Sequence, residues 1–69
     1  MVTIEVITTI AGGLPVLAIA DFCEGGDFCG IDFQWKNKRS LPAKLQGRIT
    51  GADIDRAIGT MYETGQIPA

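Results

Sequence analysis

The sequence predicts one two-layer α+β domain: an antiparallel sheet of three or four strands with a single C-terminal helix packed on one face. Three observations carry this expectation. Residues 2–10 alternate apolar and polar side chains and are rich in β-branched types. Glycine pairs at 12–13 and 25–26 punctuate the extended stretches. From Thr50 onward, apolar residues recur at helical spacing behind a capping residue. With 69 residues, the chain is far below the length at which domains divide, so 1–69 reads as one small domain.

Val2, Ile4, Val6 and Ile10 share one face of the first predicted strand. Ala11-Gly12-Gly13-Leu14 signals a turn, Gly-Gly being among the pairs that accept positive φ. Pro15 suits the first position of a second strand over 16–23, and a third strand follows over 28–36. A two-residue Gly12-Gly13 turn would set Val6 opposite Ile19, Thr8 opposite Leu17 and Ile4 opposite Asp21. Leu17, Ile19 and Cys23 then join the inner face, as do Cys29, Ile31, Phe33 and Trp35 through a three-residue second loop. The free face reads Thr3, Glu5, Ile7 and Thr9 with Val16, Ala18, Ala20 and Phe22, and Gly30, Asp32, Gln34 and Lys36. Asp21 fits this register badly, because it falls on the core side.

Asn37-Lys38-Arg39-Ser40 is a polar turn. Beyond it Leu41, Ala43, Leu45, Gly47 and Ile49 alternate with polar residues or proline, which predicts a short fourth strand over 43–49 at a sheet edge. Thr50 and Asp53 form a capping-box pattern at the start of a helix over 51–64. Ile54, Ala57, Ile58, Met61 and Tyr62 make its apolar stripe, and Gly65, with Pro68 beyond, ends it.

Composition narrows the function. The chain has no histidine, which removes imidazole bases and imidazole metal ligands. Its net charge is −2, so no global attraction to nucleic acid or anionic membranes is expected. Charge is nonetheless segregated: acids dominate Glu5 to Asp32, while five of the six basic residues fall between Lys36 and Arg48. An acidic end and a basic end are expected. The uncharged stretch from Val6 to Ala20 is 15 residues long, short of the roughly 20 that span a bilayer, and Gly12, Gly13 and Pro15 interrupt it. Ala18-Ile19-Ala20 resembles a cleavage site, but Glu5 stands where a signal peptide carries positive charge. No membrane partner and a cytoplasmic location are therefore expected, with both thiols reduced.

Candidate chemistry is sparse. Cys23 and Cys29 face each other across a hairpin, which fits a redox-sensitive staple or half of a zinc site shared with a second chain. Two small buried thiols acting as hydrophobes are the plainer and favoured expectation. Asp21, Glu24, Asp27 and Asp32 cluster at the same tip, yet no calcium-loop spacing is present, and solvated charge explains them. The glycine pairs join strand to strand with no helix N-terminus to receive a phosphate. No catalytic constellation, cofactor or metal is expected.

The leading expectation is a small non-enzymatic protein-binding module that occupies a surface on a larger protein as an inhibitor or adaptor, of the kind phages and mobile elements encode. A mean hydropathy of +0.22 is high for so small a domain and motivates both that reading and a homodimer. Its contact residues would be Ile7, Val16 and Phe22 on the free face, with Asp21, Glu24 and Asp27 at the acidic tip. The alternative is nucleic-acid binding through Trp35, Lys36, Lys38, Arg39, Lys44 and Arg48.

Overall fold

The computed structural model describes residues 2–65. Strands β1 (Val2–Ile10), β2 (Leu14–Phe22) and β3 (Phe28–Gln34) form an antiparallel sheet in the order β1-β2-β3. A four-residue helix α1 (Ala43–Gln46) and the main helix α2 (Gly51–Glu63) follow. This is the α+β plan read from the sequence, with three strands. Pro68 lies outside the described residues.

The first hairpin corrects the expected register. Ile10 pairs with Leu14, so the loop has three residues, Ala11, Gly12 and Gly13, and Val6 pairs with Ala18 rather than Ile19. Ala11 and Gly12 have φ of 51° and 83°, as a primed turn requires at both central residues, and the Gly13 N–H donates to the Ile10 carbonyl at 3.0 Å. One extra residue turns every side chain of β2 over. Val16, Ala18, Ala20 and Phe22 therefore face the core, while Leu17, Ile19 and Asp21 face outward. The misfit at Asp21 disappears: its carboxylate accepts from Thr3 Oγ1 at 2.8 Å on the outer face.

Rows across the inner face explain why this register packs. Val6, Ala18 and Phe33 are neighbours, as are Ile4, Ala20 and Ile31. Small residues on the central strand leave a trough between larger flanking ones, and Ala57 and Met61 of α2, both fully buried, belong to the same cluster. Burying each side chain such as Ile10 or Met61 contributes about 1.5–3 kcal/mol.

The second correction concerns the expected fourth strand over 43–49. That segment forms α1 instead, and Ser40 makes only an isolated bridge to Gln34. Leu41, Leu45 and Ile49 recur every four residues, a helical period as well as an alternating one, and all three pack on the core. Pro42 at the N-terminus of α1 suits a helix start, and Gln46 Nε2 donates to the Leu41 carbonyl at 2.8 Å.

Helix α2 begins as predicted. Thr50 Oγ1 accepts from the Asp53 N–H at 3.3 Å, and Asp53 Oδ2 accepts from the Thr50 N–H at 3.0 Å. Its end is closed by Thr64 as C-cap and by Gly65 at φ 71°, whose N–H donates to the Tyr62 carbonyl. Tyr62, placed on the apolar stripe by spacing, is 59% exposed.

Candidate interaction surfaces

The residues expected at a partner surface separate into two groups. Ile7 stands on the outer sheet face at 53% exposure. Val16 and Phe22, expected beside it, are instead core residues beneath the helix layer, because β2 is turned over. Their removal leaves the outer face as Thr3, Glu5, Ile7 and Thr9 with Leu17, Ile19 and Asp21, and Gly30, Asp32 and Gln34. Leu17, though buried at 8% exposure, and the half-buried Ile19 are therefore the outer-face residues that the sequence reading missed; their alternation with Asp21 was the available signal. Lys38 reaches Glu5 at 3.5 Å, so this ion pair runs from the turn after β3 to the far strand.

At one end of the sheet, Cys23 and Cys29 are joined as a disulfide with their Cα atoms 6.0 Å apart. This corrects the expectation of two buried, reduced thiols: both residues are exposed. The register shifts between Asp21 and Phe22, so Phe22 pairs with Phe28 across a five-residue loop rather than the expected three. The Cys23 N–H donates to the Asp27 carbonyl at 2.7 Å, inside the ring closed by the bridge. Glu24 and Asp27 project from this tip, and Phe28, 48% exposed, meets Phe22 edge to face at 5.9 Å.

At the opposite end lie the basic residues. The Lys38 N–H closes a turn onto the Trp35 carbonyl at 2.7 Å, and the Trp35 N–H donates to Arg39 across it. Trp35 and Lys36 line an open groove of about 460 Å3 with Leu14, Pro15 and Asn37. Lys44 on α1 and Arg48 after it are exposed, but they no longer alternate along a strand. The acidic and basic ends expected from the sequence are thus separated by the length of β2.

One titrating group is perturbed by its setting. The Thr50 backbone N–H, first, and then Arg56 and the Ala11 backbone hold the Asp53 carboxyl below the ordinary carboxylate value, against the opposing effect of desolvation. Arg56 Nη1 donates to Asp53 Oδ1 at 3.0 Å and to the Thr9 carbonyl at 2.9 Å, tying the first turns of α2 to the end of β1. This is a structural anchor. No cluster that could ligate a metal exists among the described residues, nor is any of their helices long and apolar enough to cross a membrane. Comparison with family models, curated proteins and solved structures finds no match.

Proposed function

We propose that this chain is a non-enzymatic protein-binding module, self-associating as a homodimer, that acts as an inhibitor or adaptor by occupying a surface on a larger protein. The observation that carries the reading is a sheet with its helix on one face only and with Ile7, 53% exposed, on the other, next to the half-buried Ile19. Apolar surface in that setting marks a contact site. Phage or mobile-element origin and cytoplasmic residence belong to the same proposal. In a reducing cytoplasm the exposed Cys23–Cys29 bridge would stand open to thiols.

The test is site-directed photo-crosslinking in host lysate from a reactive side chain at position 7, with position 46 on α1 as control. One partner captured from position 7 alone, and lost on Ile7→Lys with the fold retained, is the expected result. Equal capture from both positions, or none, would overturn the reading.

Nucleic-acid binding through the basic end is the second reading, favoured by the Trp35 groove beside Lys36, Lys38 and Arg39. It requires affinity for single-stranded DNA or RNA that falls steeply with salt and disappears in a Lys38→Ala/Arg39→Ala variant. No binding at low salt would exclude it.

A further inference from the structure

We propose that the Cys23–Cys29 bridge is a thiol–disulfide exchange site: a latch on the β2–β3 tip that a dithiol without net negative charge opens while the rest of the fold stays closed. The latch works whether or not the outer sheet face binds a protein.

Placement sets this bridge apart from a structural staple. Both cysteines are exposed, and the apolar core includes Phe22 and Ile31 but neither cysteine. Buried bridges resist reduction because no thiolate can reach them, whereas exposed ones exchange readily. With a sequence separation of 6, the ring holds only the tip between the ends of β2 and β3. Ile10, Val16, Ala57 and Met61 are fully buried elsewhere.

Little besides the bridge closes that tip. The β2–β3 ladder is irregular between Asp21 and Phe22, which leaves Cys29 without a residue opposite it on β2. Beyond that point the Cys23 N–H donates to the Asp27 carbonyl at 2.7 Å, and the Gly26 N–H to the Cys23 carbonyl at 3.1 Å. Gly25 and Gly26 hold φ of 90° and 86°, and glycine regains more backbone freedom on release than any other residue. Phe28, 48% exposed, leans on Phe22 edge to face. Segments with so few contacts open locally at small free-energy cost, without the core.

The exchange balances with a dithiol as reductant. Its thiolate attacks one sulfur of the bridge, a mixed disulfide forms, and the other cysteine leaves as a thiolate that takes a proton from water. The second thiolate of the reductant then attacks the mixed disulfide and releases the remaining cysteine, which is protonated in turn. Two electrons and two protons pass to Cys23 and Cys29, and the dithiol becomes a disulfide. Charge selects the reductant. Glu24 and Asp27 lie inside the ring, neither is ion-paired among the described residues, and residues 21–34 contain no lysine or arginine. A thiolate carrying further negative charge is repelled from this end, and a neutral or basic one is not.

Reduction of the oxidised full chain without denaturant tests the proposal. Dithiothreitol, an uncharged dithiol, should open the bridge completely, as read by alkylation and mass spectrometry. Amides of Cys23 and Gly26 should then lose protection from hydrogen exchange while those of Val6, Ala18 and Ala57 keep theirs, and reoxidation should restore the tip. The Cys23→Ser/Cys29→Ser variant should match the reduced chain with or without reductant. Per thiolate, cysteamine, whose ammonium cancels its charge, should open the bridge roughly fivefold faster than mercaptoethanesulfonate. Glu24→Gln/Asp27→Asn should remove most of that preference. A bridge that resists dithiothreitol until the chain unfolds would be a structural staple and would overturn the proposal. Tip amides unchanged by reduction would overturn the latch, and equal rates for the two monothiols would overturn selection by charge.

Discussion

Asp53 shows how one side chain can serve two levels of structure. Its spacing from Thr50 marks a helix start, while Arg56, which donates to its carboxylate, also donates to the Thr9 carbonyl and so fastens that start to the end of β1. The folded-state pKa lies below the unfolded one, so the stabilisation is complete above the ordinary Asp value of ~3.9. It is lost as pH falls through the lowered value, because the unfolded chain then binds the proton more readily. Asp53→Asn should therefore flatten the fall in Tm on the acid side, and an unchanged slope would remove Asp53 from that role. At the neighbouring cap, Thr50→Ala should cost about 1 kcal/mol in denaturant unfolding. Ala11 is a second informative residue, since it holds φ 51° in a turn that favours Asn-Gly. Ala11→Asn should raise stability by about 0.5–1 kcal/mol; destabilisation would argue against the primed turn.

Strand β2 carries the main lesson at the scale of elements. Both faces of this strand contain apolar residues, Leu17 and Ile19 on one side and Val16, Ala18, Ala20 and Phe22 on the other. Hydrophobic size favoured the first set, and packing between larger neighbours favours the second. Phe22→Ala should thus cost about 3–5 kcal/mol, whereas Ile7→Ala should stay within about 0.5 kcal/mol. Chemical denaturation reads both, and a small effect at Phe22 would reverse the register. The second hairpin is held by its bridge. Reducing Cys23–Cys29, which encloses a short loop, should lower stability by about 2 kcal/mol. Calorimetry with and without a thiol reductant measures this, and no change would show that the tip needs no staple.

The whole molecule is an elongated body of 34 × 20 × 19 Å with opposite charges at the two ends of its sheet. That polarity bears on association more than on folding, since exposed charges contribute little stability but strongly influence encounter and orientation. Association steered by either charged end should weaken as salt rises, because exposed pairs are screened beyond a Debye length of roughly 10 Å. Sedimentation at low and high salt provides the measurement; a dimer strengthened by salt would indicate an apolar contact instead.

Local chemistry made several features legible in the sequence itself: β1 from its alternation, the Thr50–Asp53 cap, the apolar stripe at Ala57 and Met61, and the segregation of charge. Each depends on neighbours within a few residues, where spacing alone defines the geometry. Tertiary structure decided which face of β2 is buried, whether 41–49 is helix or strand, and how the two cysteines meet. In those places two periods or two registers satisfy the same residues. Only packing against β1, β3 and α2 separates them, because a one-residue change in a turn reverses a whole strand at no local cost.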